Sequence, residues 1–331
     1  MQHVLLLGAG FSRNWGGWLA TEAFEYLLGT SEVQRDDVLR ALLWKHQREG
    51  GFEDAIAELQ GLVRRDPRDP EGARLSDLLA AVLRMFSDMN AAMAASDWDF
   101  MPFVGNVSMG VGPFLAKFDA IFTLNQDLLL EHRYVRNVMA WGSPRIQSAA
   151  LPGMTRLRHE NDPGNEDSWA LSTWVAGSSF EVGPKCQPIY KLHGSTNWRV
   201  SSGDPMVIIG GEKASGIAKS DVLSVYAREF ERRLSMGARL MVIGYGFRDL
   251  HINATLDRAA ANGLRLFVVD PLGSGLADSL NGTRRGSNVT CSTGLEILFE
   301  KTLVGASRRT LRETFGLDGA EYKKLMGFFD K

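Results

Sequence analysis

The sequence predicts an α/β fold: a mostly parallel sheet with helices on both faces. Three observations carry that expectation. Short apolar runs, Val4-Leu5-Leu6-Leu7, Ile121-Phe122-Thr123, Leu240-Met241-Val242-Ile243 and Leu266-Phe267-Val268-Val269, have the unbroken aliphatic character of strands covered on both sides. In the last third these runs alternate with helical stretches, Asp221 to Leu234 and His251 to Ala261, which is the punctuation of βαβ units. Several runs also stop on glycine or short polar residues: Gly8-Ala9-Gly10, Asn125 and Asp127, Gly244-Tyr245-Gly246, and Asp270. Open α/β sheets bind ligands at such strand ends, where the next helix presents free N–H groups.

At 331 residues the chain has room for one large domain or two ordinary ones, and it can bury a substantial core. It is 44% hydrophobic and 23% charged, close to globular averages. The formal net charge of −2 supplies no overall basic field, so neither direct nucleic-acid binding nor a membrane partner is expected, and small ligands come first. No apolar run reads as long enough to span a bilayer. The opening Met1-Gln2-His3-Val4 leads straight into a strand without the charged and apolar regions of a signal peptide, so a cytoplasmic location is expected. Two cysteines, Cys186 and Cys291, supply no disulfide framework and cannot build a four-cysteine zinc site.

Taken in order, the first apolar run enters Gly8-Ala9-Gly10-Phe11-Ser12, a turn whose glycines allow close approach of backbone N–H groups to a phosphate and whose Ser12 can donate a further bond. Asn14-Trp15-Gly16-Gly17 follows in place of a third glycine at dinucleotide-fingerprint spacing, so no clean helix start is expected there. The alternative is a tight turn that needs glycine for conformational reasons. A helix is expected from near Leu19 to Leu28, ending at Gly29.

Residues 31–104 lose strand-like runs and gain helical periodicity, most clearly in Leu75, Leu78, Leu79, Val82, Leu83 and Phe86, and read as a helical insertion. The remaining core spans 1–30 and 105–331. Within it, the Pro-, Gly- and Ser-rich stretch 141–185 reads as a loop-rich insertion able to cover a ligand. Cys186 to Leu192 restores strand character and delivers His193-Gly194; the choice for His193 lies between a crevice-facing base and a hydrogen-bonded structural histidine. Val207-Ile208-Ile209 reads as another strand. Asp270 is either a ribose acceptor or a turn former. Near the C-terminus an apolar run at Leu295 to Phe299 precedes helices near Arg308 to Phe315 and Ala320 to Phe329.

Four segments, in order and each at a strand end, are Gly8-Ala9-Gly10-Phe11-Ser12, Thr123-Leu124-Asn125-Gln126-Asp127, Leu192-His193-Gly194 and Gly244-Tyr245-Gly246. Together they resemble the Rossmann-like NAD-binding core of the sirtuin superfamily, over nearly the whole chain outside the two insertions. The resemblance implies that Gly8, Ala9, Gly10, Phe11 and Ser12 hold the pyrophosphate. It implies that Asn125 and Asp127 line the nicotinamide and its ribose and are catalytic together with His193, the base, that Thr123 also binds the cofactor, and that Gly244, Tyr245, Gly246 and Asp270 meet the phosphates and the adenosine side. Leu124 stands where deacylases of this superfamily usually have glutamine, Gly244-Tyr245-Gly246 where they have Gly-Thr-Ser, and their zinc ribbon is missing.

The runs 191–198 and 244–253 look instead like divergent bacterial sirtuin-like NAD+ hydrolases of antiphage defence. That likeness implies NAD+ as substrate, no metal, a homo-oligomer, and activation by assembly or by a companion defence protein encoded nearby, such as an ATPase, an Argonaute-like or a nucleotide-processing protein. Cleavage of the nicotinamide–ribose bond passes through an oxocarbenium-like state, suited to polar groups that orient the ribose and a water and to an imidazole of near-neutral pKa as base. The alternatives are an NAD-dependent protein deacylase and a non-catalytic NAD or ADP-ribose sensor.

Overall fold

The computed structural model describes residues 1–47, 50–65, 71–100, 110–135, 145–157, 172–211, 213–279, 294–316 and 318–330. Its centre is a seven-stranded sheet in the order β11-β10-β9-β1-β2-β6-β3. The strands are β1 (His3–Leu7), β2 (Ala120–Thr123), β3 (Ser148–Ala150), β6 (Cys186–Lys191), β9 (Arg239–Ile243), β10 (Arg265–Val269) and β11 (Leu303–Ser307). Every pairing in it is parallel. Val4 to Leu7, Ile121, Phe122 and Leu240 to Val242 are fully buried, as expected for strands with helices on both faces. The expected Rossmann-like α/β architecture is therefore present, with helices flanking the sheet.

The chain leaves β1 for β2 on one side and later returns to place β9 on its other side. That makes the C-terminal end of β1 the switch point of the sheet, where neighbouring connections diverge and open a crevice. The register aligns the strand ends: Leu7 lies beside Thr123 and Ile243, Val269 beside Ile243 and Ser307, and Thr123 beside Lys191. Residues immediately beyond these positions consequently emerge along one rim.

Between β1 and β2 the chain forms α1 (Ala9–Ser12), α2 (Ala20–Leu28), α3 (Ser31–Gln34), α4 (Asp37–His46), α5 (Phe52–Arg65), α6 (Glu71–Ala95) and α7 (Val111–Leu115). Helices α3 to α6 pack around a second apolar cluster of Leu39, Leu43, Ile56, Leu59, Leu78 and Val82 among others, and form a helical unit beside the sheet. Helix α2, expected to belong to the sheet core, puts Ala23, Phe24 and Leu27 into this second cluster instead. Helix α6 faces both cores, giving Leu78 and Val82 to the helical unit and Met89 and Met93 to the sheet. The expectation of no spanning-length apolar run needs correction: α6, at 25 residues, is long and apolar enough to cross a membrane by length and composition, and in this fold its buried positions pack within the protein.

Several local expectations are also corrected. A helical turn, α1, does start directly at Ala9, followed by a 3-10 turn at Arg13–Trp15 that Gly16 ends in the left-handed region at φ 87°. The 141–185 stretch contains three short strands among its described residues: β3, β4 (Met154–Arg156) and β5 (Trp174–Ala176). Beyond His193 the chain forms β7 (Gly194–Arg199), which pairs with β5 and with β8 (Pro205–Val207) in a four-stranded side sheet ordered β4-β5-β7-β8. The strand expected at 207–209 is this β8, ending at Val207. After α8 (Lys213–Ala218), α9 (Asp221–Leu234), α10 (Leu250–Ala260) and α11 (Leu276–Ser279), the apolar run at 295–299 lies inside a helix, α12 (Gly294–Thr302). The final helices are α13 (Leu311–Gly316) and α14 (Gly319–Met326). Cys186 is a free thiol, and Cys291 lies outside the described residues.

Candidate active site

A cavity of about 1520 Å³ opens over the switch point, walled by the sheet ends on one side and by α5 and α6 of the helical unit on the other. Each strand end contributes: Gly8 to Gly10 after β1, Leu124 to Asp127 after β2, His193 after β6, Gly244 to Gly246 after β9, Asp270 after β10, and Arg309 to Arg312 after β11, with Ala9 and Tyr245 as parts of those segments. Ser12 lines the cavity as well. Of the expected site residues, Phe11 and Thr123 do not line it. Phe11 is a core residue, tilted against Trp15 at 5.0 Å between ring centroids, and Trp15 stacks on Trp98. Thr123 is buried at the end of β2, where its Oγ1 accepts from the Asn125 N–H at 3.0 Å and shapes the turn from below.

The glycines of the first and fourth segments serve each other. Gly8 N–H donates to the Ile243 carbonyl at 3.0 Å and Gly10 N–H to the Gly244 carbonyl at 2.9 Å. A Cβ on Gly8 would lie 2.5 Å from the Gly244 oxygen, and one on Gly244 would lie 2.4 Å from the Gly10 backbone, with Gly244 at φ +64°. Here only glycine lets the ends of β1 and β9 meet. The expectation that Gly8 and Gly10 offer their N–H groups to a phosphate is thus corrected: both already bind β9. Gly246 differs, since a Cβ there would meet nothing within 4 Å, so its backbone stands open to a ligand.

Asn125, Ser12 and Asp127 form a closed relay. Asn125 Nδ2 donates to the Gly8 carbonyl and to Ser12 Oγ, both at 3.0 Å, and Ser12 Oγ donates to Asp127 Oδ2 at 2.7 Å. Asp127 Oδ1 accepts from the Leu129 N–H at 3.1 Å, capping the following helical turn. Ser12 is therefore no free phosphate donor, because its proton belongs to Asp127. Both carboxylate oxygens of Asp127 are engaged, and the residue is only 7% exposed. Burial pushes its pKa up, opposed by the charge of Lys191 and the bond from Ser12. What this relay leaves for a ligand is Asn125 Oδ1, which accepts no hydrogen bond among the described residues.

Beneath the relay, Lys191 Nζ donates to the Asp127 carbonyl and to Glu131 Oε1, a pair whose side chains are 2% and 1% exposed. It pins the polar turn after β2 to the helical turn that follows.

His193 is 3% exposed, and its Nε2 lies 3.2 Å from Nε2 of His251 on α10. Burial first, then the nearby Lys213 and His251, lower its pKa from 6.5 to about 3, while Asp249 and a hydrogen bond to the Leu124 backbone act the other way. A near-neutral base was expected, and the environment instead keeps this imidazole neutral and weakly basic. Asp249 N-caps α10 without a side-chain cap bond; its Oδ1 accepts from Lys213 Nζ at 2.6 Å, and Lys213 also reaches Glu53 Oε2 of α5 at 2.7 Å. Tyr245 is 4% exposed and braces this corner, its hydroxyl donating to Asn253 Oδ1 at 3.0 Å and accepting from the Asp249 N–H at 3.0 Å. Asp270 acts as the turn former, its Oδ1 accepting from the Leu272 N–H at 2.9 Å, and the residue also lines the cavity.

Sequence reasoning missed Glu53, Lys213, Asp249, His251, Arg309 and Arg312, all on the cavity wall. An Asp-x-His placed after a strand end, at a helix start, was the available signal for Asp249 and His251. Nothing local marks the others, which arrive from distant segments.

No protein-family model matches the chain, and no curated protein does. Among solved structures it is similar to Sir2Tm bound to a propionylated peptide, at 11% identity over 99% of this chain and 94% of that one, with TM-score 0.40. It is likewise similar to a Sir2 homologue variant in complex with 2'-O-acetyl ADP-ribose, at 14% identity over 99% and 93%, with TM-score 0.40. At those scores the likeness adds nothing to the fold described above and says nothing about activity.

Proposed function

We propose that the chain is an NAD+ hydrolase, releasing nicotinamide and ADP-ribose, and that it acts as an effector of bacterial antiphage defence switched on by self-assembly or a companion protein. The observation that supports this most is the convergence of Asn125, His193, Gly246 and Asp270 on one cavity at the switch point of a parallel sheet. In this reading Asp270 and the open backbone at Gly246 take the adenosine half, and Arg309 and Arg312 face the phosphates. Asn125 Oδ1 orients the nicotinamide ribose. Neutral His193 accepts a hydrogen bond from the attacking water or a ribose hydroxyl, and the oxocarbenium-like transition state needs charge stabilisation beside it. The defence role and its trigger rest on the resemblance of runs 191–198 and 244–253.

A second reading, an NAD-dependent protein deacylase, is favoured by the size of the cavity, since about 1520 Å³ exceeds the roughly 300–1,000 Å³ of ordinary ligand pockets. Purified protein incubated with NAD+ distinguishes them. Hydrolysis predicts nicotinamide release without any peptide, reduced at least about 100-fold in Asn125→Ala and His193→Ala. Release that requires an acyl-lysine peptide supports the deacylase, and full activity in both variants refutes the site. Thermal stabilisation by NAD+ with no nicotinamide release in any condition would mark a sensor.

A further inference from the structure

We infer that His193, Asp249 and His251 form a binding site for a divalent transition metal with nitrogen and oxygen ligands, against the expectation of a metal-free pocket. Their ligand atoms lie within 4.8 Å of one another, and all three residues line the cavity. The two Nε2 atoms are 3.2 Å apart. Two zinc–nitrogen bonds of ordinary length at a tetrahedral angle place their nitrogens about 3.3 Å apart, so an ion can bind both with little movement.

The surroundings fit the donor set. The Leu124 backbone also holds the His193 ring, as outer partners orient metal-binding histidines. The Asp249 carboxylate makes no cap bond to α10, and with Oδ1 held by Lys213 its other oxygen can serve the metal. Lys213 and Glu53 then form an outer layer that fixes the ligating carboxylate. Lys213 opposes a cation, but the two carboxylates it bridges exceed its charge. Two imidazoles and one carboxylate suit zinc, cobalt(II) or nickel(II) better than calcium or magnesium, and the cavity side leaves a position for water or a ligand.

Metal binding takes the same Nε2 lone pair that hydrolysis assigns to a water or hydroxyl proton. The inference nonetheless stands on the cluster alone, and its test needs no NAD+, so either reading can fail without the other. The full chain, stripped with a chelator and dialysed, is titrated with Co2+ and followed by visible absorption and calorimetry. The expected result is one equivalent per chain with the intense bands of four- or five-coordinate cobalt(II), displaced by Zn2+. His251→Ala should abolish the spectrum and Asp249→Asn should weaken binding at least tenfold. His251→Gln repeats the test with more of the side-chain volume retained, should the alanine variant fail to fold. Wild-type binding no tighter than that of the His251 variants would overturn the site and leave an N–H···N bonded imidazole pair. Unchanged affinity in Asp249→Asn would overturn the three-ligand assignment.

Discussion

Replacing Lys191 by methionine tests how the polar turn over the switch point is held. The side chain is almost fully buried, and its ammonium serves Glu131 Oε1 at 2.7 Å and the Asp127 carbonyl. Glu131 Oε2 has no hydrogen-bond partner among the described residues. Methionine keeps the length and apolar stem but leaves Glu131 as an uncompensated buried carboxylate and the Asp127 carbonyl unpaired. Breaking a buried pair in this one-sided way costs about 3–5 kcal/mol, so a loss on the order of 4 kcal/mol is expected. Replacing both partners, Lys191→Met with Glu131→Met, removes the stranded charge and should recover most of that loss. Urea unfolding at neutral pH, followed by circular dichroism, gives both values. A single-variant loss below about 1 kcal/mol, or a double variant less stable than the single, refutes the role assigned to this pair.

Two further outcomes follow from the same rim. Gly244→Ala places a Cβ 2.4 Å from the Gly10 backbone at a φ of +64°, so a loss of more than about 2 kcal/mol in urea unfolding is expected together with loss of NAD+-induced thermal stabilisation; unchanged unfolding would show that the strand ends can part. His193 titrates near 3 when folded and near 6.5 when unfolded, so between these values the unfolded chain binds more protons and stability falls as pH falls. From pH 7 to pH 5 in chelator this contributes a loss of about 2 kcal/mol that His193→Asn should lack, and equal acid sensitivity of the two proteins would contradict the buried neutral imidazole.

The centre of the parallel sheet was legible because β1, β2, β9 and β10 are buried on both faces and say so in apolar runs: β9, β10 and the helix Asp221–Leu234 lie within a residue of where periodicity puts them, whereas the edge strands β3 and β11 are partly exposed and were not expected. The ends of β1, β9 and β10 were legible for the same reason, since glycine or a short polar residue follows each of those runs directly. The side sheet was not. Gly194-Ser195-Thr196-Asn197-Trp198-Arg199 has the composition of a turn and becomes a strand only through pairing with segments distant in the chain. The run Leu295 to Phe299 is short enough for either helix or strand, and context makes it helical. Site chemistry was hardest to read at Ser12 and Asp127. Their types suggested contacts to a ligand, while the fold joins them to each other, and only proximity in space reveals that.

Lys213 draws an ammonium between Glu53 on the helical unit and Asp249 beside the sheet. The spacing of those two bodies is thereby written into the charge balance around His193 and His251. A tilt of α5 away from the sheet would release Lys213 from Glu53 and leave it to Asp249 alone, whereas a firmer seat divides it between them. Lys213 is thus a contact through which the seat of α5 bears on the charge around His193 and His251.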